Sequence, residues 1–365
     1  MLDKAMLIFV RQAVPRPALL WARNFTSAKI SENLSDKKEP QSNEKLIKVA
    51  IIGVPNAGKS TLINHLIDHR VCPTSMKVHT TRATAKAIQS RANSQMILFD
   101  TPGLVGDRDA KKHHIDANFL SSCRHAVQHS NLIGVVHDVS NSWTRNALNP
   151  IMVDVLKSYS HIPSFLILNK IDTLKSKRIL LDIVKNITNN QLESIKNYRI
   201  KKRKSSQDKP QTEAKANRQE VQEGWPHFSE IFMVSAFTGD GLKEVMSFIY
   251  SHAKAGQWEH LATEATDQTP EQLIVQSVRA RLLDYLPQEI PYALATELEF
   301  FENINGRMFA SAVVTCPSER IERLVCGEGN GKLKQITERV TSDLIETFAV
   351  PISLTIVTRI KSKDK

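Results

Sequence analysis

Gly53-Val54-Pro55-Asn56-Ala57-Gly58-Lys59-Ser60 is the stretch that decides the fold. It follows a short apolar run, residues 46–52, of the kind that forms a buried parallel strand. It precedes a helical pattern from Lys59 that places Leu62, Ile63, Leu66 and Ile67 on one face. A glycine loop between strand and helix is the context in which this pattern binds a nucleoside triphosphate. Glycine lets backbone N–H groups cradle phosphate oxygens, and the helix N-terminus adds its partial positive charge. The nucleotide contacts expected here are Gly53, Pro55, Asn56, Ala57, Gly58, Lys59, Ser60 and Thr61. Lys59 should reach the β- and γ-phosphates, and the Ser60 hydroxyl should bind Mg²⁺.

Asn169-Lys170-Ile171-Asp172, a domain's length further on, selects the base. Asp172 can accept two hydrogen bonds from the N1–H and exocyclic amine of guanine. Adenine offers neither donor there and would leave the carboxylate unpaired, which a buried polar site punishes by several kcal/mol. The pattern therefore reads as GTP binding, with Asn169, Lys170 and Asp172 at the base. Ser235-Ala236, after the apolar run at residues 231–234, is placed so that its backbone can reach the guanine O6.

Another apolar run, Met96-Ile97-Leu98-Phe99, delivers Asp100-Thr101-Pro102-Gly103 to a strand's C-terminal edge, where open α/β sheets bind ligands. Asp100 should hold Mg²⁺ through water, with Thr101 and Pro102 beside it, and the Gly103 N–H should sense the γ-phosphate. One of the threonines in Val78-His79-Thr80-Thr81-Arg82 should complete the Mg²⁺ shell. Gly103 is followed by Leu104 and Val105. Leucine can neither donate nor accept, so hydrolysis should be slow unless a partner or cation lends a group. Further apolar runs at residues 132–136 and 165–168 alternate with polar or helical stretches. The whole argues for an α/β P-loop GTPase domain on a doubly wound, mostly parallel sheet. One loop match alone is a weak signal; four ordered motifs, each after an apolar strand, are not.

The formal charge of +11 is unevenly placed. The excess sits in residues 1–30 and 173–228, and the rest is balanced. Residues 1–30 mix Arg11, Arg16 and Arg23 with apolar stretches and one acid, Asp3. This is the profile of a mitochondrial transit peptide, followed by a disordered linker, 31–44. Arg23-Asn24-Phe25-Thr26-Ser27 resembles a matrix-protease cleavage site. No run is long and apolar enough to span a membrane. Lys201-Lys202-Arg203-Lys204 opens a polar, low-complexity insert at about 197–224 in the GTPase domain, 45–258. It is either a solvated loop or a non-specific contact for RNA phosphates. Cys72, Cys123, Cys316 and Cys326 show neither disulfide nor zinc spacing. His113-His114 reads as the exposed start of a switch segment rather than a metal pair.

A polar hinge, 259–270, precedes a fresh pattern over 271–365. It comprises a helix bearing Leu273, Val278 and Leu282; strands at 294–302 and 307–316 around Asn303-Ile304-Asn305-Gly306; and a short helix from 318 to 325. Gly327-Glu328-Gly329-Asn330-Gly331, a helix over 332–348 and a strand over 352–360 complete it. That order is that of an α+β type II KH domain, whose glycine loop clamps RNA backbone. Gly327, Glu328, Gly329, Asn330, Gly331, Lys332 and Lys334 are the expected RNA contacts. The usual loop is Gly-x-x-Gly with a basic residue inside; here Glu328 is inside and Asn330 stands fourth. Asn tolerates left-handed backbone, so the turn can survive.

Residues 53–60, Thr-Thr-Arg (80–82), Asp-Thr-Pro-Gly (100–103), Asn-Lys-Ile-Asp (169–172) and Leu-Pro-Gln-Glu-Ile-Pro-Tyr (286–292) together resemble the Era family, over nearly the whole chain from about residue 45. The resemblance implies Thr81, directly before Arg82, as the Mg²⁺ ligand, so that Lys59, Thr81 and Gly103 carry catalysis. It also implies a potassium ion at Asn56 acting like an arginine finger; the plainer account is that Asn56 suits the loop's backbone. It further implies GTP/GDP exchange, binding to the 3′ region of mitochondrial small-subunit rRNA in a pre-ribosomal particle, a matrix location, and no DNA partner. Peripheral association with the inner membrane is left open. Other classes are a signalling GTPase whose KH-like domain docks a protein, and an RNA-binding factor with an inert nucleotide site.

Overall fold

The computed structural model describes residues 43–75, 77, 84–104, 118–189, 224–287 and 289–361. The transit-peptide segment, nearly all of the linker and of the basic insert, Thr81 with its neighbours, Val105 and His113-His114 lie outside these residues.

The first unit is a seven-stranded sheet. Its strands are β1 (Lys45–Ile52), β2 (Ala85–Arg91), β3 (Ser94–Asp100), β4 (Leu132–Asp138), β5 (Ser164–Asn169), β6 (Phe228–Met233) and the two-residue β7 (Lys254–Ala255). The order is β2-β3-β1-β4-β5-β6, with β7 pairing β1. β3, β1, β4, β5 and β6 run parallel. β2 is antiparallel to β3 at the edge. Successive β1 residues point to opposite faces, and two separate cores result. Ala50 and Ile52 pack with α2 (Asn118–Gln128), α3 (Pro150–Ser158) and α4 (Ile179–Ile187). Val49 and Ile51 pack with α1 (Lys59–Ile67) and α5 (Leu242–Ser251). Leu62, Ile63 and Leu66 of α1 are wholly buried. Each contributes about 1.5–3 kcal/mol relative to exposure, which fixes the helix that carries Lys59.

The second unit has its own core. It runs α6 (Pro270–Tyr285), β8 (Ala295–Ile304), β9 (Arg307–Cys316), α7 (Glu319–Cys326), α8 (Gly331–Phe348), β10 (Ile352–Ile360). Thr269 and Gln272 cap the start of α6 reciprocally, with Pro270 at its first position. β10 is parallel to β9 and β8 antiparallel to it. The β8–β9 turn is tighter than the sequence suggests: β8 continues to Ile304, leaving Asn305 (φ 51) and Gly306 (φ 78) as a two-residue turn of the kind that matches strand twist.

Two joints matter for function. The Ile88 N–H donates to the Ala265 carbonyl (2.8 Å), the Lys86 N–H to Asp267 Oδ1 (2.9 Å), and Thr266 bridges Ala87. The connector between units is thus laid along the outer edge of β2, with Thr266 and Gln268 buried. At the insert, the Gly224 N–H donates to Asn189 Oδ1 (3.2 Å) and the Trp225 N–H to the Ile187 carbonyl (2.8 Å). Trp225 is buried and donates to Ser164 Oγ. The described residues on either side of 190–223 are therefore clasped at one point.

Candidate nucleotide site and glycine loop

The phosphate loop, Asp100–Gly103, Asn169–Asp172 and Ser235-Ala236 all meet at the C-terminal ends of β1, β3, β5 and β6. Gly58 (φ 94) is the N-cap of α1, and a side chain there would strike the Asn169 amide. Lys59 is buried, and its ammonium donates to the Gly53 and Val54 carbonyls at 3.2 Å each. Burial holds its pKa below the ordinary 10.5, with the Asp100 charge opposing. Ser60 Oγ donates to Asp100 Oδ2 at 2.7 Å, and Asp100 is itself buried. A hydroxyl and a carboxylate converging beside a phosphate cradle are oxygen donors of the kind Mg²⁺ takes, so these residues fit that ion. Thr101 Oγ1 donates to the Ile51 carbonyl (2.7 Å), tying β3 to β1, and the Leu104 N–H donates to the Gly53 carbonyl (3.0 Å). Two buried thiols border this region: burial, then Asp100, raises Cys72, and burial pushes Cys123 up to about 11.

The guanine end is cross-tied. Asn169 is buried; its Nδ2 donates to the Ala57 carbonyl (2.8 Å) and its Oδ1 accepts the Ala236 N–H (2.9 Å). One amide thus joins the phosphate loop to the base loop. Asp172 is exposed, with Oδ1 fixed by the Ser235 hydroxyl at 2.6 Å. Lys170 has a left-handed backbone (φ 69), and its ammonium lies 2.6 Å from Asp138 Oδ2. The Ser235 N–H donates to the Asp240 carbonyl, so both N–H groups expected to be available for guanine O6 are engaged within the protein. Sequence reading missed Asp138, although its place at a strand's C-terminal edge was a usable signal.

In the second unit, Gly327 (φ 72), Gly329 (φ 56) and Asn330 (φ 60) all lie in the left-handed region. Glu328, Gly329, Asn330 and Lys334 are exposed, while Gly331 and Lys332 are half-buried. No Asn330 side-chain hydrogen bond caps α8.

Residues 48–170 match the 50S ribosome-binding GTPase family. The chain is 32% identical over 349 residues to mitochondrial GTPase Era of Danio rerio, covering 90% of this chain and 78% of that one. It is 26% identical to mitochondrial GTPase Era of Caenorhabditis elegans over 367 residues, covering 89% and 92%. Its fold is like that of Era solved in complex with MgGDPNP and nucleotides 1506–1542 of 16S ribosomal RNA (TM-score 0.68, 21% identity, 87% of this chain and 94% of that one). The similarity to GTPase relatives runs along almost the whole length, and the chain belongs to the Era family of GTPases, in its mitochondrial branch.

Proposed function

We propose that this GTPase is a GTP-timed RNA chaperone that binds the 3′ region of mitochondrial small-subunit rRNA in the matrix and promotes assembly of that subunit. One observation carries the reading: a cross-tied GTP site shares a chain with an α-β-β-α-loop-α-β unit whose glycine loop is left-handed and open. That unit is read as a type II KH domain. Gly327 to Gly331 would approach the RNA backbone, and Lys332 and Lys334 would supply positive charge past Glu328. The solved Era–16S rRNA complex supports a small-subunit rRNA as the ligand. Residues 1–30, with their arginines, support delivery to the matrix, and cleavage near Arg23 would remove them.

Ser60 and Asp100, with Thr81, would hold Mg²⁺, which neutralises phosphate charge when bound. Lys59, released from the Gly53 and Val54 carbonyls, would turn its donors to the β- and γ-phosphates. Asp172, pre-set by Ser235, reads guanine. Leu104 is buried and its N–H is committed to Gly53, so it cannot orient water, which supports slow intrinsic turnover. Asn56 is left-handed (φ 60), which accounts for it on conformational grounds. A potassium role would show as faster hydrolysis in K⁺ than in Na⁺, lost in Asn56→Ser. RNA affinity must differ between GTP and GDP states, a coupling of about 1–3 kcal/mol.

Crosslinking of the tagged protein in cells tests the reading. A sharp peak at the 3′ end of mitochondrial small-subunit rRNA is expected. A diffuse signal would remove that target, and an RNA-independent protein partner would replace it with a signalling role.

A further inference from the structure

The loops that follow the adjacent strands β4 and β5 are knit together at their roots. Lys170 Nζ lies 2.6 Å from Asp138 Oδ2, and the Val139 N–H donates to the Asn169 carbonyl at 3.2 Å. Beyond those roots both loops turn outward. In the β4 loop, Asn141 Oδ1 accepts the Trp143 N–H (3.0 Å), and the Asn141 carbonyl accepts the Thr144 and Arg145 N–H groups (3.3 and 2.9 Å). His137 Nε2 lies 2.9 Å from the Arg145 carbonyl. The turn is thus fixed, yet Trp143 is 94% exposed. Arg145, half-buried beside it, leaves its Nε–H without an acceptor. In the β5 loop, Lys175, Lys177 and Arg178 are all exposed, and none has an ion-pair partner among the described residues. No acid occurs in 139–149 or in 173–178. The next one along, Asp182, is 3.8 Å from Lys185.

A face that is merely solvated mixes charges of both signs. This rim holds four cations, no acid and an indole held out in water, although a packed tryptophan buries about 150–250 Å². An aromatic face on which any base can stack, beside cations that track the backbone, is the combination that binds single-stranded nucleic acid without reading its sequence. A guanidinium with a spare N–H fits a phosphate oxygen. A duplex keeps its bases stacked on one another and offers the indole no free face. A lipid surface needs a broad apolar face, whereas the neighbours of Trp143 are Asn141, Ser142, Thr144, Arg145 and Asn146.

We propose that the rim formed by Trp143, Arg145, Lys175, Lys177 and Arg178 is a second RNA site, on the GTPase unit itself, which takes a single strand by stacking one base on Trp143 and pairing its phosphates with the four cations. It stands whichever RNA the glycine loop selects. The loop that carries Lys175 also carries Asp172, so the bound strand lies beside the residue that reads guanine.

The test uses the full chain, a labelled oligouridine of about twenty nucleotides, a duplex RNA of the same length and a 3′ fragment of mitochondrial small-subunit rRNA. Trp143→Ala, and a triple variant with Lys175→Gln, Lys177→Gln and Arg178→Gln, are compared with the unaltered chain, with Tm and GDP affinity expected to stay as they are. Trp143→Ala should weaken oligouridine binding about tenfold, and the quenching of indole emission on binding should disappear with it. The triple variant should also lose about tenfold and lower the salt slope by about two, as for three lost phosphate contacts on a single strand. Unchanged oligouridine affinity in both variants, or equal losses on the duplex, would overturn the proposal. So would sedimentation with phosphatidylserine vesicles that Trp143→Ala abolishes while RNA affinity holds, which would make the rim a lipid surface. If the losses appear but the rRNA fragment binds no better than oligouridine, the rRNA reading fails and the rim stands. If the fragment is preferred and both variants bind RNA normally, the rim alone fails.

Discussion

The guanine end of the nucleotide site and the glycine loop of the second unit both rest on left-handed residues, Lys170 at φ 69 and Asn330 at φ 60. They are held in opposite ways. Around Lys170, both amide atoms of Asn169 are used, Ser235 fixes Asp172, and Asp138 holds the Lys170 ammonium. Around Asn330, residues 328–330 are exposed, and the turn is closed by one backbone bond, from the Asn330 N–H to the Gly327 carbonyl (3.3 Å), with no side-chain cap. The first arrangement suits discrimination between two bases that differ by a few hydrogen-bonding groups, because a rigid carboxylate cannot relax around the wrong one. The second suits a ligand read by its phosphate backbone, where a loop must approach closely and adjust.

Breaking the rigid side should have the larger effects. Asp172→Asn should cut the preference for GTP over ATP by on the order of a thousandfold or more; competition binding measures it, and unchanged discrimination would remove Asp172 from the base site. Asn169→Ala leaves the Ala57 carbonyl and the Ala236 N–H without their partner in a buried setting. It should lose on the order of 3 kcal/mol of stability, visible as a lower Tm together with weak binding of both GTP and GDP. On the adaptable side, Gly327→Ala puts a side chain 2.7 Å from Lys332 Cβ at φ 72. Backbone at φ 72 and ψ −178 is open almost only to glycine and costs another residue about 1–3 kcal/mol, so RNA affinity should fall about tenfold while GTP turnover without RNA stays as it was. Glu328→Lys should strengthen RNA binding several-fold and steepen its salt dependence by about one phosphate contact; a flat salt slope would place the loop away from the backbone.

Acid gives the smallest effect. Burial holds His69 and His137 below the ordinary imidazole value of 6.5. The unfolded chain therefore takes up protons first, and stability is full above 6.5 and declines as pH falls below it. Tm followed from pH 8 to pH 5 should drop, and His137→Gln should flatten the curve.

Much of this was legible in the chain because it is local. β9 and β10 have the bounds read from the sequence, since apolar periodicity and the Asn305-Gly306 turn mark them. β2 was not legible: Ala85-Lys86-Ala87-Ile88-Gln89-Ser90-Arg91 has no apolar run, and it is a strand because the β3 edge recruits its backbone. The Asn169 ties span 112 and 67 residues, a separation that no window of sequence contains. The stretch at 259–270 reads from the sequence only as a polar hinge. Its docking on β2 uses backbone groups, which every sequence has and none advertises.

The clasp between Asn189 and Gly224 has a consequence for inheritance. The free energy of closing a loop rises by only about 0.6 kcal/mol for each doubling of its length, so the sheet scarcely registers how long residues 190–223 are. That segment nevertheless holds much of the chain's positive excess. Fold and electrostatic character are thus separately editable here: a lineage can lengthen, recharge or delete the cassette, and so retune attraction to polyanions, without touching the residues of the candidate nucleotide site.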